Sequence, residues 1–177
     1  MTDLRYPLGA FDMRMRVVPE MHEPAIAAIA DLPAHLGAAV RGLSEGQVDT
    51  PYRPGGWTVR QLVHHIGDSH ANAYIRTKLA LTELEPVIKP YNQEAWALLP
   101  DSRLPIEESL PLIEAIHAHW TALWRSLAPD QFGRTFNHPE NGIMTLDTQL
   151  QLYAWHSRHH VAHLTALRQR EGWLGLE

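Results

Sequence analysis

The chain contains no cysteine. That excludes disulfides, thiolate-ligated metal and a protein thiol nucleophile together. Any sulfur chemistry needs a thiol carried in by a substrate. Long apolar runs are also missing. None approaches the roughly 18 residues of a membrane span, and the segment Met1 to Pro7 lacks the apolar core of a signal peptide. The expectation is a cytoplasmic protein that does not engage the membrane. Positive charge is scarce: 15 Lys and Arg stand against 20 Asp and Glu, a net charge of −5 with neutral histidines. Nucleic-acid binders usually carry a basic footprint, so that partner class is not expected. Repeats and low-complexity tracts are absent. The 177 residues, 45% of them hydrophobic, suit a single domain over 1–177 with a real core.

Strand-like patterning is weak and helical patterning is strong. Ile26, Ile29, Leu32, Leu36, Val40 and Leu43 recur at three- and four-residue spacing after Glu23-Pro24, with Pro33 inside the pattern. Thr58 followed by Gln61 has the spacing of a capping box and opens a second helix running to about Glu83. Pro86, Pro90 and Pro100 make a long connection, with room for a helical turn at 93–98. A third helix fits Ile106 to Leu127. Residues 132–144 read as a loop with a small hairpin. Thr145 or Asp147 caps a fourth helix to about Arg170, with Gly172 past its end. The expected fold is all-α, a four-helix bundle with a long connection between its second and third helices.

Histidine is over-represented, at 12 residues. Four of them, His156, His159, His160 and His163, fall within eight positions of the fourth helix. Residues four apart share a helix face, and two such imidazoles can grip one metal ion. The stripe Leu152, His156, His159, His163, Leu167 faces inward by its spacing. The stripe Gln61, Leu62, His65, Ser69, Asn72 is its counterpart on the second helix. Facing stripes bring His65, His159 and His163 together as three neutral ligands, suited to zinc, nickel, copper or iron(II). His160 falls off that face. His156 and Asp68 are read as partners orienting the ligands. Arg60, Arg76 and Arg158 are candidates for binding substrate carboxylates, and Trp155 for the pocket wall. His117 and His119 read as solvated positions, and His22, His35 and His138 as surface.

These residues sit inside motifs that resemble the DinB-like superfamily, specifically its YfiT-type proteins. The motifs include Val48-Asp49-Thr50-Pro51-Tyr52-Arg53, residues 55–61 (GGWTVRQ), His64-His65 with Asp68-Ser69-His70, and residues 120–123 and 153–157. The resemblance implies a four-helix bundle, usually dimeric, with a three-histidine metal site falling on His65, His159 and His163. It also implies one of two activities, metal-dependent hydrolysis or bacillithiol S-transfer. Arg158 stands where the family often has a further histidine.

The implied metal is one divalent ion per chain, zinc first and nickel second. A three-histidine site leaves a position open for substrate. There a metal lowers the pKa of water for hydrolysis, or deprotonates a thiol. The resemblance favours the thiol: a low-molecular-weight thiol such as bacillithiol attacking an electrophile in detoxification. The alternatives are a hydrolase, and a non-catalytic homodimeric bundle with a structural metal.

Overall fold

A computed structural model describes residues 3–173. Four long helices form the bundle: α1 (His22–Val40), α3 (Val59–Thr82), α5 (Ser109–Arg125) and α6 (Leu146–Arg170). Two one-turn helices, α2 (Glu45–Val48) and α4 (Gln93–Trp96), lie in the connections. A hairpin of β1 (Thr135–His138) and β2 (Gly142–Thr145) precedes α6, with Phe136 paired to Met144. The start signals act as their chemistry requires. Thr58 accepts from the Gln61 N–H and Gln61 reaches back, a complete capping box. Thr145 accepts from the Thr148 N–H. Pro33 lies within α1 without ending it.

Side-chain pairings fix the helix directions. Met21 and Gln151 meet at one end of α1 and α6, and Ala39 and Arg168 at the other, so these two run parallel. His64 meets Ser109 and Thr77 meets Trp120, so α3 and α5 also run parallel. Ser69 meets Tyr153 and Thr77 meets Gln149, so α3 opposes α6. Two parallel, adjacent helices cannot be joined by a tight turn, which explains the long 83–108 segment. Helix α1 packs on α5 and α6, and α3 packs on the same two. Helices α1 and α3, though separated only by a short segment, therefore occupy a diagonal.

The core divides into two apolar clusters. One holds Ile29, Ala73, Trp120, Trp124, Phe136 and Leu150. The other holds Leu32, Leu36, Leu62, Ile66, Ile113 and Leu164. Burying each such aliphatic side chain contributes about 1.5–3 kcal/mol. Between the clusters, at the same height on α3, α5 and α6, sit His70, His117 and His156. A polar layer thus crosses the bundle, and the functional site opens from it. Among the described residues, no helix is long and apolar enough to cross a membrane.

Candidate metal centre

Helix α6 brings His156, His159, His160 and His163 against His65 of α3. Two groups of three place one nitrogen from each ring within 4.8 Å of the others: His65, His156, His160, and His159, His160, His163. The predicted set of His65, His159 and His163 is not one of these groups. His65 instead meets His156 and His160, with ring centroids 5.5 and 5.2 Å away. The face of α6 that meets His65 therefore carries His156 and His160, while His159 and His163 are buried beside it. His160, expected off the face, belongs to both groups, and His156 is itself within ligand reach.

A buried hydrogen-bond chain sets which nitrogen of His156 is free. The Ile29 carbonyl can only accept, so His117 donates to it through Nδ1–H at 2.6 Å. Neutral His117 then accepts at Nε2 from His70 Nδ1–H at 2.9 Å. His70 accepts at Nε2 from His156 Nδ1–H, also at 2.9 Å. That leaves His156 Nε2 with a bare lone pair, 3.0 Å from His160 Nε2. His117, expected to be solvated, is 1% exposed because it is the ring that joins this chain to the α1 backbone. A ligand imidazole normally has its other N–H held in this way. Sequence spacing could not show it, since the chain passes through three helices and ends on the backbone of a fourth.

Burial keeps the cluster neutral. It pulls His65 down to about 4, and together with the neighbouring His163 it pulls His159 down to about 4. Burial first, and then neighbouring rings, hold His70, His156 and His160 well below the ordinary imidazole value. Neutral imidazole is the form that binds metals. His65 makes no hydrogen bond among the described residues, and the Nδ1 atoms of His159, His160 and His163 are buried without partners. His163 Nε2–H is occupied by the Arg5 carbonyl at 3.2 Å. The donor set of His65, His156 and His160 fits a divalent transition metal.

Aromatic rings wall the cluster. Trp57 lies over His65 at 4.5 Å, Tyr52 stacks on His163 at 4.2 Å, and Trp155 stacks on His159 at 4.3 Å. The loop between Tyr52 and Trp57 closes through the Tyr52 N–H donating to the Trp57 carbonyl at 3.0 Å. Gly55 turns it at a φ of 67°, and a side chain at Gly56 would press on Arg53. From the N-terminal segment, Tyr6 faces His159 and the Gly9 carbonyl accepts from Trp155 Nε1–H. The cleft over the histidines measures about 310 Å³. A chamber of about 580 Å³ adjoins it, and both are lined by His156 and Gln93.

The remaining predicted residues separate. Trp155 is on the cleft wall, as expected. Arg76 lines the adjoining chamber. Arg60 does not face either space, because Glu45, Asp49 and the Leu104 carbonyl hold its guanidinium. Arg158 is exposed and lines a different groove, with Leu8 and His35. The Asp68 carboxylate bonds none of the histidines; burial raises its pKa. His64 turns to α5, between Ser109 and the Leu104 carbonyl. His138, expected at the surface, is buried in the chamber wall.

Comparison with known proteins agrees with this architecture. The DinB superfamily pattern matches residues 28–164. The chain belongs to the DinB superfamily. It is 53% identical over 173 residues to proteins of Bacillus cereus and Bacillus anthracis, each named "Putative metal-dependent hydrolase". These alignments cover 98% of this chain and all of each relative. The solved structure of YfiT from Bacillus subtilis matches with a TM-score of 0.94 and 47% identity, covering 98% of this chain and all of that one. YfiT is described as "a probable metal-dependent hydrolase with an unusual four-helix bundle topology".

Proposed function

We propose that this DinB-superfamily protein binds one divalent metal ion through His65, His156 and His160. In this reading it activates a low-molecular-weight thiol, such as bacillithiol, for attack on an electrophile. The observation that carries the metal reading is a trio of neutral imidazoles, His65 and His160 buried and His156 half-buried, with the free nitrogen of His156 aimed by a chain of rings. A bound metal supplies Lewis acidity, which lowers the pKa of a thiol or water in its open position. Zinc and nickel both accept this nitrogen donor set.

The chain's own residues then have definite tasks. His117 and His70 keep the proton of His156 on Nδ1, so Nε2 stays available. Trp57, Tyr52 and Trp155 exclude water from the back of the rings. The cleft and the adjoining chamber meet at His156 and Gln93, which leaves room for two reactants. That two-lobed space supports transfer: the sulfur electron pair forms the new bond to the electrophile, and the leaving group departs with its own pair. A second reading, hydrolysis, is favoured by the names of the relatives.

Turnover separates the readings. Metal-loaded protein is incubated with monochlorobimane, with and without bacillithiol or cysteine. The transfer reading predicts conjugate only when thiol is present, at a rate above that of thiol alone. Product formed equally without thiol contradicts transfer and supports hydrolysis.

A further inference from the structure

Two arginines of α3, Arg60 and Arg76, are equally buried, each 9% exposed. Their surroundings differ. Arg60 is saturated: Nε donates to Asp49 at 2.7 Å, Nη2 to Glu45 at 2.5 Å, and Nη1 to the Leu104 carbonyl at 3.1 Å. Arg76 has one long bond, from Nη2 to the Lys89 carbonyl at 3.3 Å. Among the described residues, no carboxylate forms an ion pair with it. A largely enclosed guanidinium with a single backbone partner is poorly compensated. Such a group survives where a ligand of opposite charge completes it.

The space in front of Arg76 suits that role. Arg76 lines the chamber of about 580 Å³ that reaches His156, a size usual for small-molecule sites. Tyr91, Asn141, Gln149 and Tyr153 give it hydroxyls and amides, and Phe136 and Met144 an apolar floor. Glu140 also lines it, but is exposed and does not pair with Arg76. His138 is held neutral by burial and by the nearby Arg76 charge. Among the described residues, Arg76 is thus the one cation on the wall.

We infer that this chamber is a binding site for a small carboxylate-bearing molecule, anchored by the Arg76 guanidinium. The planar fork of arginine matches a carboxylate through two parallel bonds. The fork pairs with one carboxylate group, the rest of the molecule lying along the chamber, and inorganic phosphate is the alternative that the test separates. A molecule held there shares its chamber with His156, so its remaining atoms can extend toward the metal centre. This gives the substrate class of the proposed reaction: one reactant carries a carboxylate. The anion site itself does not depend on a bound metal.

The test is titration of isotope-labelled protein with succinate, followed by amide chemical shifts at constant ionic strength. Succinamide and inorganic phosphate are titrated in parallel. Saturable shifts at Ser69, Tyr91 and Asn141 are expected with succinate and not with succinamide. Arg76→Gln should weaken binding about tenfold or more, the scale for losing one charged partner. Arg76→Lys keeps the charge, guards against misfolding of the first variant, and should retain part of the affinity. Arg158→Gln, at an exposed arginine, should change nothing. Unsaturable shifts, equal binding of succinamide, equal binding by folded Arg76→Gln, or preference for phosphate each overturn the proposal. Metal content is measured on the same samples. Loss of metal binding with succinate binding intact counts against the metal centre and leaves the anion site standing.

Discussion

At the residue scale, metal binding turns on which nitrogen of each histidine is free. His156 is aimed by two other rings and a backbone carbonyl, not by a carboxylate. The relay makes a prediction remote from the site. His117→Leu fills the space but removes both the donor to Ile29 and the acceptor for His70. Metal affinity should fall about 10- to 100-fold, the scale for losing an outer partner of a ligand. His117→Gln carries a donor and an acceptor and should recover part of it. Competition with a chelating dye measures both, and unchanged affinity in His117→Leu would remove the relay from the account. Asp68, read from sequence as such a partner, takes no part. It is near His65 in sequence, but no bond joins it to the histidines.

At the element scale, the helix starts and the packing faces govern stability. Thr58→Ala removes the side-chain acceptor at the start of α3 and should cost about 1 kcal/mol. Gly67→Ala should do the opposite. Gly67 lies inside α3, and an added Cβ would meet Ile113 at an ordinary 3.7 Å. Alanine is favoured over glycine there by about 0.5–1 kcal/mol. Urea unfolding of both variants checks the two signs. The helices themselves were legible in the sequence, because capping boxes and three-to-four spacing are local signals. Gln61 after Thr58, and Thr145 before α6, mark their starts to within a residue. The face of α6 was less legible. His156, His159, His160 and His163 all satisfy a helical repeat, and shifting the pair by three positions exchanges His159 and His163 for His156 and His160. Only the packing of α6 against α3 decides this, and that contact joins residues about ninety positions apart. The N-terminal segment was illegible for a similar reason. Arg5 and Gly9 contribute backbone carbonyls, which no side-chain pattern reports.

At the scale of the whole molecule, the histidine layer lies between two apolar clusters and ties stability to pH. His65, His70, His156, His159, His160 and His163 all have folded values below the ordinary imidazole value of about 6.5. Below that pH the unfolded chain binds protons that the folded chain refuses. Stability therefore rises with pH up to about 6.5 and levels off above it. For His65 the loss continues as pH falls toward about 4. Each such histidine contributes up to about 1.4 kcal/mol per pH unit in that window. The urea midpoint of metal-free protein should accordingly be lower at about pH 5 than at about pH 7. Equal midpoints would mean that the layer protonates without unfolding. Zinc should raise the midpoint near neutral pH by mass action, and less in acid, where protons compete for the same nitrogens.

The proposed metal ligands are His65, His156 and His160. Metal analysis of protein purified without an affinity tag tests this assignment most directly, comparing His156→Ala with the double variant His159→Ala/His163→Ala. Folded His156→Ala should lose stoichiometric metal while the double variant keeps one ion per chain. Metal retained by His156→Ala and lost from the double variant would contradict it, and would move the centre to the other three-histidine group of α6.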